Sequence, residues 1–391
     1  MAKTDNLSDF LTDVANSIRT KTGTSDQINA QDFSDKILAM TGLQLWWSTK
    51  GTSAYLLAGY DGTTLDGVLT PDETKDMTYM GNMFTACPNL ITIPQLNTSK
   101  VTNMAYMFAD CSSLTSIPLI DTSKVTNMRY MFLRCPKFTT LPQLDTSNVT
   151  NMDGMFQNCE SLETIPLLDT NKLTTMYHTF EFCSKLKNVP LFDMSNCKHL
   201  MRTFSECHSL TTVPKFDWTN LTSISGLFWC CYNLTTTPGF ITTNKLLVTS
   251  GMFYGCTRLT SVGLFNTSGV GDFRQMFAYC RSLETVPAFN FGNATVRKLG
   301  SGEWLNDGAL EDIFKDCINL KSILITNIGS SLDISASTRY ERSDLLVILN
   351  NLLQIPEGCP YTITLTMGAT NLAKLTEEDK AIATNKGWTL A

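Results

Sequence analysis

The sequence predicts an α/β solenoid: short strands and turns wound into stacked coils, with a cap at each end. Three observations predict it. The stretch "DTSKVTNMRYMFLRCPKFTTLPQL" at 121–144 is followed at once by "DTSNVTNMDGMFQNCESLETIPLL", so the text repeats every 24 residues. Cys87, Cys111, Cys135, Cys159, Cys183, Cys207 and Cys231 are each 24 residues apart, and Cys256, Cys280 and Cys317 follow after 25, 24 and 37. Within each unit the apolar positions form a single edge, which only a neighbouring coil can cover.

From the N-terminus, "LSDFLTDVANSI" places Leu7, Leu11, Val14 and Ile18 on one helical face. A loop, "KTGTSD", and a second short helix, "AQDFSDKILAM" with Phe33 and Ile37, complete a helical module over 1–42. Residues 43–76, with "WWSTKGTSAYLLAGYDG", read as a β-rich adaptor and N-terminal cap. Ten coils follow over 77–326 with the pattern V-T-N-M-x-x-M-F-x-x-C-x-x-L-x-T-I-P-x-L-D-T-S-x. A 24-residue period lies within the range of leucine-rich repeats.

One coil shows the reasoning. Met104, Met107, Phe108 and Cys111 fall at i, i+3, i+4 and i+7, which predicts a short helical turn with one apolar stripe. "LTSIPLI", with Leu114 and Ile117, suits a short strand interrupted by proline. "DTS" reads as a turn in which the Asp121 carboxylate accepts the backbone N–H two residues on. "KVTNM" is a second short strand.

Stacking converts repeated positions into internal columns. One is Phe84, Phe108, Phe132, Phe156, Phe180, Phe204, Phe228, Phe253, Phe277 and Phe314. Another is Leu96, Ile120, Leu144 and Leu168, changing to Phe192, Phe216, Phe240, Phe265 and Phe289. Fully burying such a side chain contributes about 1.5–3 kcal/mol, so the columns are the expected source of stability.

The interval before Cys317 holds 13 extra residues around "GSGEWLNDGAL", a loop leaving the repeat. Residues 327–391 read as an α/β C-terminal cap. There Ser343 caps a helix through "DLLVILNNL", "YTITLTM" is a strand, and "TEEDKAIATNK" opens with a capping box at Thr376 and Asp379.

Composition narrows the function. The chain is 43% apolar and 17% charged, which argues against disorder. A net charge of −6 and a pI near 5.2 oppose a nucleic-acid partner. The start lacks a basic segment followed by an apolar one, and no apolar run approaches the roughly 20 residues of a membrane span. Synthesis in a cytoplasm without a signal peptide or membrane insertion is expected. The cysteine ladder reads as a column of reduced, small hydrophobic side chains rather than as disulfides.

The unit "VTNMxxMFxxCxxLxxIPxLDTS" resembles the BspA-type leucine-rich repeats, over about two-thirds of the chain. The match weakens at Met194, Cys197, Lys198 and His199 in "DMSNCKHL", and at "ITTNKLLVTSGMF", which carries an extra residue. "LSDFLTDVANSIRTKTGTSDQINAQDFSDKILAM" resembles a helical module of phage tail and virion-associated proteins of gut and Gram-positive bacteria. "NLAKLTEEDKAIATNKGWTLA" is similar to the closure of repeat proteins from the same phages. These resemblances imply a virion protein that docks to other virion structural proteins through Leu7, Leu11, Val14, Ile18, Phe33 and Ile37. Several copies on one particle would then present the solenoid to a host-surface glycan or protein. The alternatives are a structural decoration or spacer of the virion, or a bacterial BspA-like surface adhesin.

Catalysis, cofactors and metal are not expected. His178, His199 and His208 lie at no recognised ligand spacing, and no CxxC or G-x-S-x-G motif occurs. The column Asp121, Asp145, Asp169, Asp193 and Asp217 would place carboxylates about 5 Å apart, near the separation of a retaining glycosidase pair, or near enough to bridge calcium. Because it recurs on coil after coil, turn capping explains it more simply. The triplets "NTS", "NVT" and "NLT" match glycosylation sequons but also follow from a Thr/Asn-rich repeat.

The variable positions point to recognition. Tyr106, Tyr130, Tyr177, Phe182, Trp229, Tyr232, Tyr254, Arg258, Tyr279 and Arg281 form a candidate surface, together with Arg129, Arg134, Arg202 and Arg274. Tyr, Trp and Arg dominate binding hot spots, whereas a face built for solubility carries Lys and Glu. The other reading of the same residues is that they cover the repeat edge and pack against their neighbours.

Overall fold

The computed structural model describes residues 71–391 together with Thr63. The docking module, with Leu7, Leu11, Val14, Ile18, Phe33 and Ile37, lies outside the described residues, as does most of the 43–76 adaptor. The remainder is a leucine-rich-repeat-like α/β solenoid. Successive coils pair in parallel through bridges such as Tyr79 to Asn103, Asn103 to Asn127 and Asn127 to Asn151, and this ladder continues from Thr175 through His199, Ser223 and Val248 to Asp272. A second parallel ladder joins Thr236–Thr237, Ser261–Val262, Thr285–Val286 and Ser322–Ile323.

The segment expected as a helical turn is not helical. Among the described residues, helices occur only at Pro71–Thr74 and in the C-terminal cap. From Met104 to Cys111 the backbone instead alternates its partners. The N–H groups of Tyr106, Phe108 and Asp110 donate to Arg129, Met131 and Leu133 of the next coil, at 2.9, 2.8 and 2.7 Å. Those of Met107, Ala109 and Cys111 close turns onto Met104, Tyr106 and Phe108. An α-helix would turn every N–H inward to residue i−4 and leave none for the neighbouring coil. The apolar spacing nevertheless gave the right inward positions: Met104, Met107, Phe108 and Cys111 are all fully buried.

The columns are real. Adjacent rings of the phenylalanine column are 5.3 Å apart at Phe84–Phe108 and 5.9 Å at Phe204–Phe228, with planes 11° and 9° from parallel. The Leu96-to-Phe289 column is buried throughout. All thirteen cysteines are free thiols, twelve buried and Cys359 partly so. From Cys111 onward each ladder thiol donates to the phenylalanine carbonyl of the preceding coil, as Cys135 Sγ does to Phe108 O and Cys159 Sγ to Phe132 O, both at 3.1 Å. The Phe108 carbonyl, which also accepts the Cys111 N–H at 3.2 Å, thus closes its own turn and receives the next coil's thiol.

The "DTS" turn works as expected and adds one role. Asp121 Oδ1 accepts the Ser123 N–H at 3.0 Å, and the same geometry recurs at Asp145, Asp169, Asp193 and Asp217. That backbone bond, then the Ser123 hydroxyl, holds the Asp121 carboxyl below its ordinary pKa. The buried threonine beside it bridges coils, with Thr122 Oγ1 donating to Asp145 O at 2.8 Å. Where the phrase becomes "DMSNCKHL", Met194 and Cys197 remain fully buried and His199 continues the parallel ladder.

In the C-terminal cap the helix Arg342–Asn350 has Glu341, not Ser343, as its N-cap. The Asp344 carboxylate accepts the Glu341 N–H at 3.0 Å, which fixes the boundary two residues before the serine. Thr364–Thr366 forms a parallel sheet with Leu332–Asp333 and Thr389–Leu390. The capping box at Thr376 and Asp379 is present. The extra residues before Cys317 pair Arg297–Lys298 antiparallel with Trp304–Leu305.

Candidate recognition face

Alternating hydrogen bonds force two residues of every turn segment into the left-handed region. They are the second variable residue after the first methionine and the second after the phenylalanine. Left-handed backbone costs an ordinary side chain roughly 1–2 kcal/mol, and glycine or asparagine is the unstrained choice. Gly154, Gly226, Gly251 and Gly255 meet that demand. Tyr106 (φ 58°), Tyr130 (54°), Phe182 (61°), Arg202 (53°) and Tyr279 (62°) defy it. Large side chains at positions whose backbone disfavours them point to a use for the side chain.

Contacts divide the candidate surface. Tyr106 and Tyr130 have ring centroids 5.0 Å apart, and the Arg129 guanidinium lies 4.8 Å from the Tyr130 ring. Trp229 and Tyr254 stack at 3.8 Å, and Tyr279 meets Tyr254 edge-on at 5.2 Å. Tyr177 stacks on His199 at 5.6 Å and Tyr232 on His208 at 4.7 Å. Arg281 pairs with Asp316 at 2.6 Å, and Arg258 donates to Asn233 at 3.0 Å. Phe182 and Tyr232 keep 40% and 41% of their surface exposed. Much of the aromatic area therefore covers the coil edges, while Phe182, Tyr232 and the edges of the stacks face outward.

The rings follow one another because glycines make room. A Cβ on Gly154 would lie 2.0 Å from the Tyr130 ring, and one on Gly251 would lie 2.7 Å from that of Trp229. Beside Gly154 opens a depression of about 260 Å³, lined by Arg129, Tyr130, Asp153, Tyr177, His178 and Met201. Asp153 Oδ1 accepts the Thr175 hydroxyl at 2.9 Å and the Tyr177 N–H at 3.0 Å. Beneath it lies Glu181, whose side chain is 4% exposed. Its Oε2 stands 2.8 Å from His178 Nδ1 and accepts from Gln157 Nε2 at 2.6 Å, while Oε1 is 3.5 Å from Arg202. Burial pushes the Glu181 pKa up, but His178, Gln157 and Arg202 together outweigh it and leave the carboxyl lowered. A larger groove of about 410 Å³, bordered by Leu264, Asn266, Ala288 and Asn290, has no charged side chain in its lining.

The family described as "Mycoplasma protein of unknown function, DUF285" matches residues 61–164, 115–212, 139–239 and 198–298, together more than half of the chain. This chain belongs to that family. No curated protein matches the DUF285 chain. Among solved structures it is similar to a leucine-rich cell surface protein from Faecalibacterium prausnitzii, at 19% identity and a TM-score of 0.36, over 73% of this chain and 78% of that one. A leucine-rich repeat protein from Eubacterium ventriosum is similar at 15% identity and a TM-score of 0.28, over 64% and 93%. An internalin from Listeria monocytogenes is similar at 14% identity and a TM-score of 0.28, over 93% of each chain.

In this DUF285 solenoid the three histidines have separate partners: His178 has Glu181, His199 has Thr222 and His208 has Glu206. Among the described residues, no group of three or more His, Cys, Asp and Glu side chains is placed to hold a metal ion, and no helix is long and apolar enough to cross a membrane. Each aspartate of the ladder turns its Oδ1 onto its own turn. Asp153, Glu181 and Met201 were not among the residues the sequence singled out. One signal was available: Glu181 occupies the slot held on neighbouring coils by Ala109, Leu133, Gln157 and Ser205, so an acid stands where the chain leans inward.

Proposed function

We propose that this chain is a non-enzymatic recognition protein of the surface-adhesin kind, binding a glycan or protein through the turn face of its solenoid. The observation that carries this reading is Phe182, a large apolar side chain held at φ 61° and left 40% exposed. Local stability would favour glycine or asparagine there, and no interior column needs the ring. The adhesin reading draws on the BspA-type resemblance of the repeats themselves. The virion reading draws on the terminal resemblances alone, and its docking residues lie outside the described residues.

Beads coated with the chain should adhere to immobilised cell-surface glycans or proteins. Phe182→Asn combined with Tyr232→Ser should cut that adhesion about 10-fold or more, at an undiminished melting temperature. Adhesion that survives both substitutions removes the turn face from this reading. Detection of the polypeptide in purified phage particles would favour the virion placement over the cell surface.

A further inference from the structure

We infer that the depression beside Gly154 is a subsite for a neutral 2-acetamido sugar of a glycan, an inference that rests on the turn face being the recognition surface. About 260 Å³ falls below the roughly 300–1,000 Å³ of sites for drug-sized ligands, which suits a single sugar ring. The polar groups are fixed before any ligand arrives. Asp153, which lines the depression, has Oδ1 committed to Thr175 and Tyr177, so its plane is set and Oδ2 is left as the acceptor for a ligand. His178 Nδ1 lies 2.8 Å from Glu181 Oε2, which fixes the ring and leaves Nε2 to meet a ligand hydroxyl. Arg129, held over Tyr130, supplies donors, while Tyr177 and Met201 supply apolar wall.

An acetamido group uses each of these. Its N–H donates to Asp153 Oδ2, its carbonyl accepts from Arg129, and its methyl packs on Met201. A ring hydroxyl, able to donate or accept, pairs with His178 Nε2. A plain hexose leaves the apolar wall and one polar group unmatched. The lining holds one carboxylate, Asp153, and one guanidinium, Arg129, so charge favours neither an anionic nor a free amino sugar over a neutral one. Preorganised side chains of this kind lower the ordering cost of binding.

The test is titration of the full chain by ligand-observed NMR with N-acetylglucosamine and N-acetylgalactosamine, each against its parent hexose. At least one acetamido sugar should bind about 10-fold or more tightly than its parent. Asp153→Ala should weaken that binding at least as much. Because Asp153 also holds the Tyr177 N–H, Met201→Trp provides a second variant that fills the depression from a partly exposed position without touching the polar frame. Equal binding of both sugar classes, or undiminished acetamido binding by Met201→Trp, overturns the subsite. If bead adhesion still falls with Phe182→Asn while the sugars are not distinguished, only the subsite fails and the recognition face stands. If neither adhesion nor sugar binding occurs, both fail.

Discussion

The indole of Trp229 lies 3.8 Å from the ring of Tyr254 on the next coil, the planes 9° apart, and covers Gly251. Each ring thus covers one face of the other, while the Arg202 guanidinium stands 5.5 Å from the Trp229 ring and Tyr279 meets Tyr254 edge-on. Such a pair contributes about 0.5–1.5 kcal/mol beyond its area burial. Trp229→Ala should lower stability by about 2 kcal/mol in a denaturant titration. A midpoint that does not move would show that the stack contributes nothing to stability.

Phe182 separates recognition from packing. Phe182→Asn removes an exposed ring and relaxes a left-handed residue, so the melting temperature should hold or rise, with a gain of up to about 1 kcal/mol. A clear loss of stability would mean that the ring packs, and would withdraw the main support for a binding role.

The thiol ladder should be inert in the native protein. Burial pushes Cys135 and Cys317 up to about 12, and Cys159, Cys207, Cys256 and Cys280 also sit well above the ordinary thiol value because of burial. With twelve of thirteen cysteines buried, an aromatic disulfide reagent should label Cys359 first and the others only on unfolding. Rapid native labelling of several thiols would contradict the buried column.

Interior coils should be costlier to damage than exposed turns. Phe156 is flanked by Phe132 and Phe180, each ring 5.5 Å away, so truncation opens a cavity between two coils. Phe156→Ala should cost about 3–5 kcal/mol, measured by chemical denaturation. A loss below 1 kcal/mol would show that the coils do not stack as described.

Acid should loosen the C-terminal cap. The Arg342 guanidinium, then the Thr376 backbone N–H, holds the Asp379 carboxyl down to about 2 from an ordinary 3.8. A depressed folded pKa contributes stability that is complete above the unfolded value and lost as pH falls through the folded one. Between pH 4 and 2 the melting temperature should therefore fall more steeply in the native protein than in Asp379→Asn. Parallel curves would detach this ion pair from cap stability.

The period, the inward columns, the Asp-capped turn and the Thr376–Asp379 box were legible in the sequence because each is a local or strictly repeated pattern. The helical turn was misread because the spacing Met104, Met107, Phe108 and Cys111 records only which side chains point inward. A right-handed helix and a string of turns with left-handed residues at 106 and 110 bury the same set. Ser343 was misplaced as a cap because Asp344 competes for that end of the helix and pairs with Glu341.

By itself, then, the sequence determined that identical slots must stack, since a 24-residue unit leaves an apolar edge that only its own copy fits. It also marked which positions were free to vary. Only the tertiary structure decided what those free positions do. Residues 24 apart in sequence become neighbours one coil apart, so whether an aromatic is spent on the next ring, covers a glycine or faces solvent depends on the coil beside it. The meeting of Asp153, Tyr177, His178 and Met201 beside the Tyr130 ring, which Gly154 admits, follows from that lateral packing.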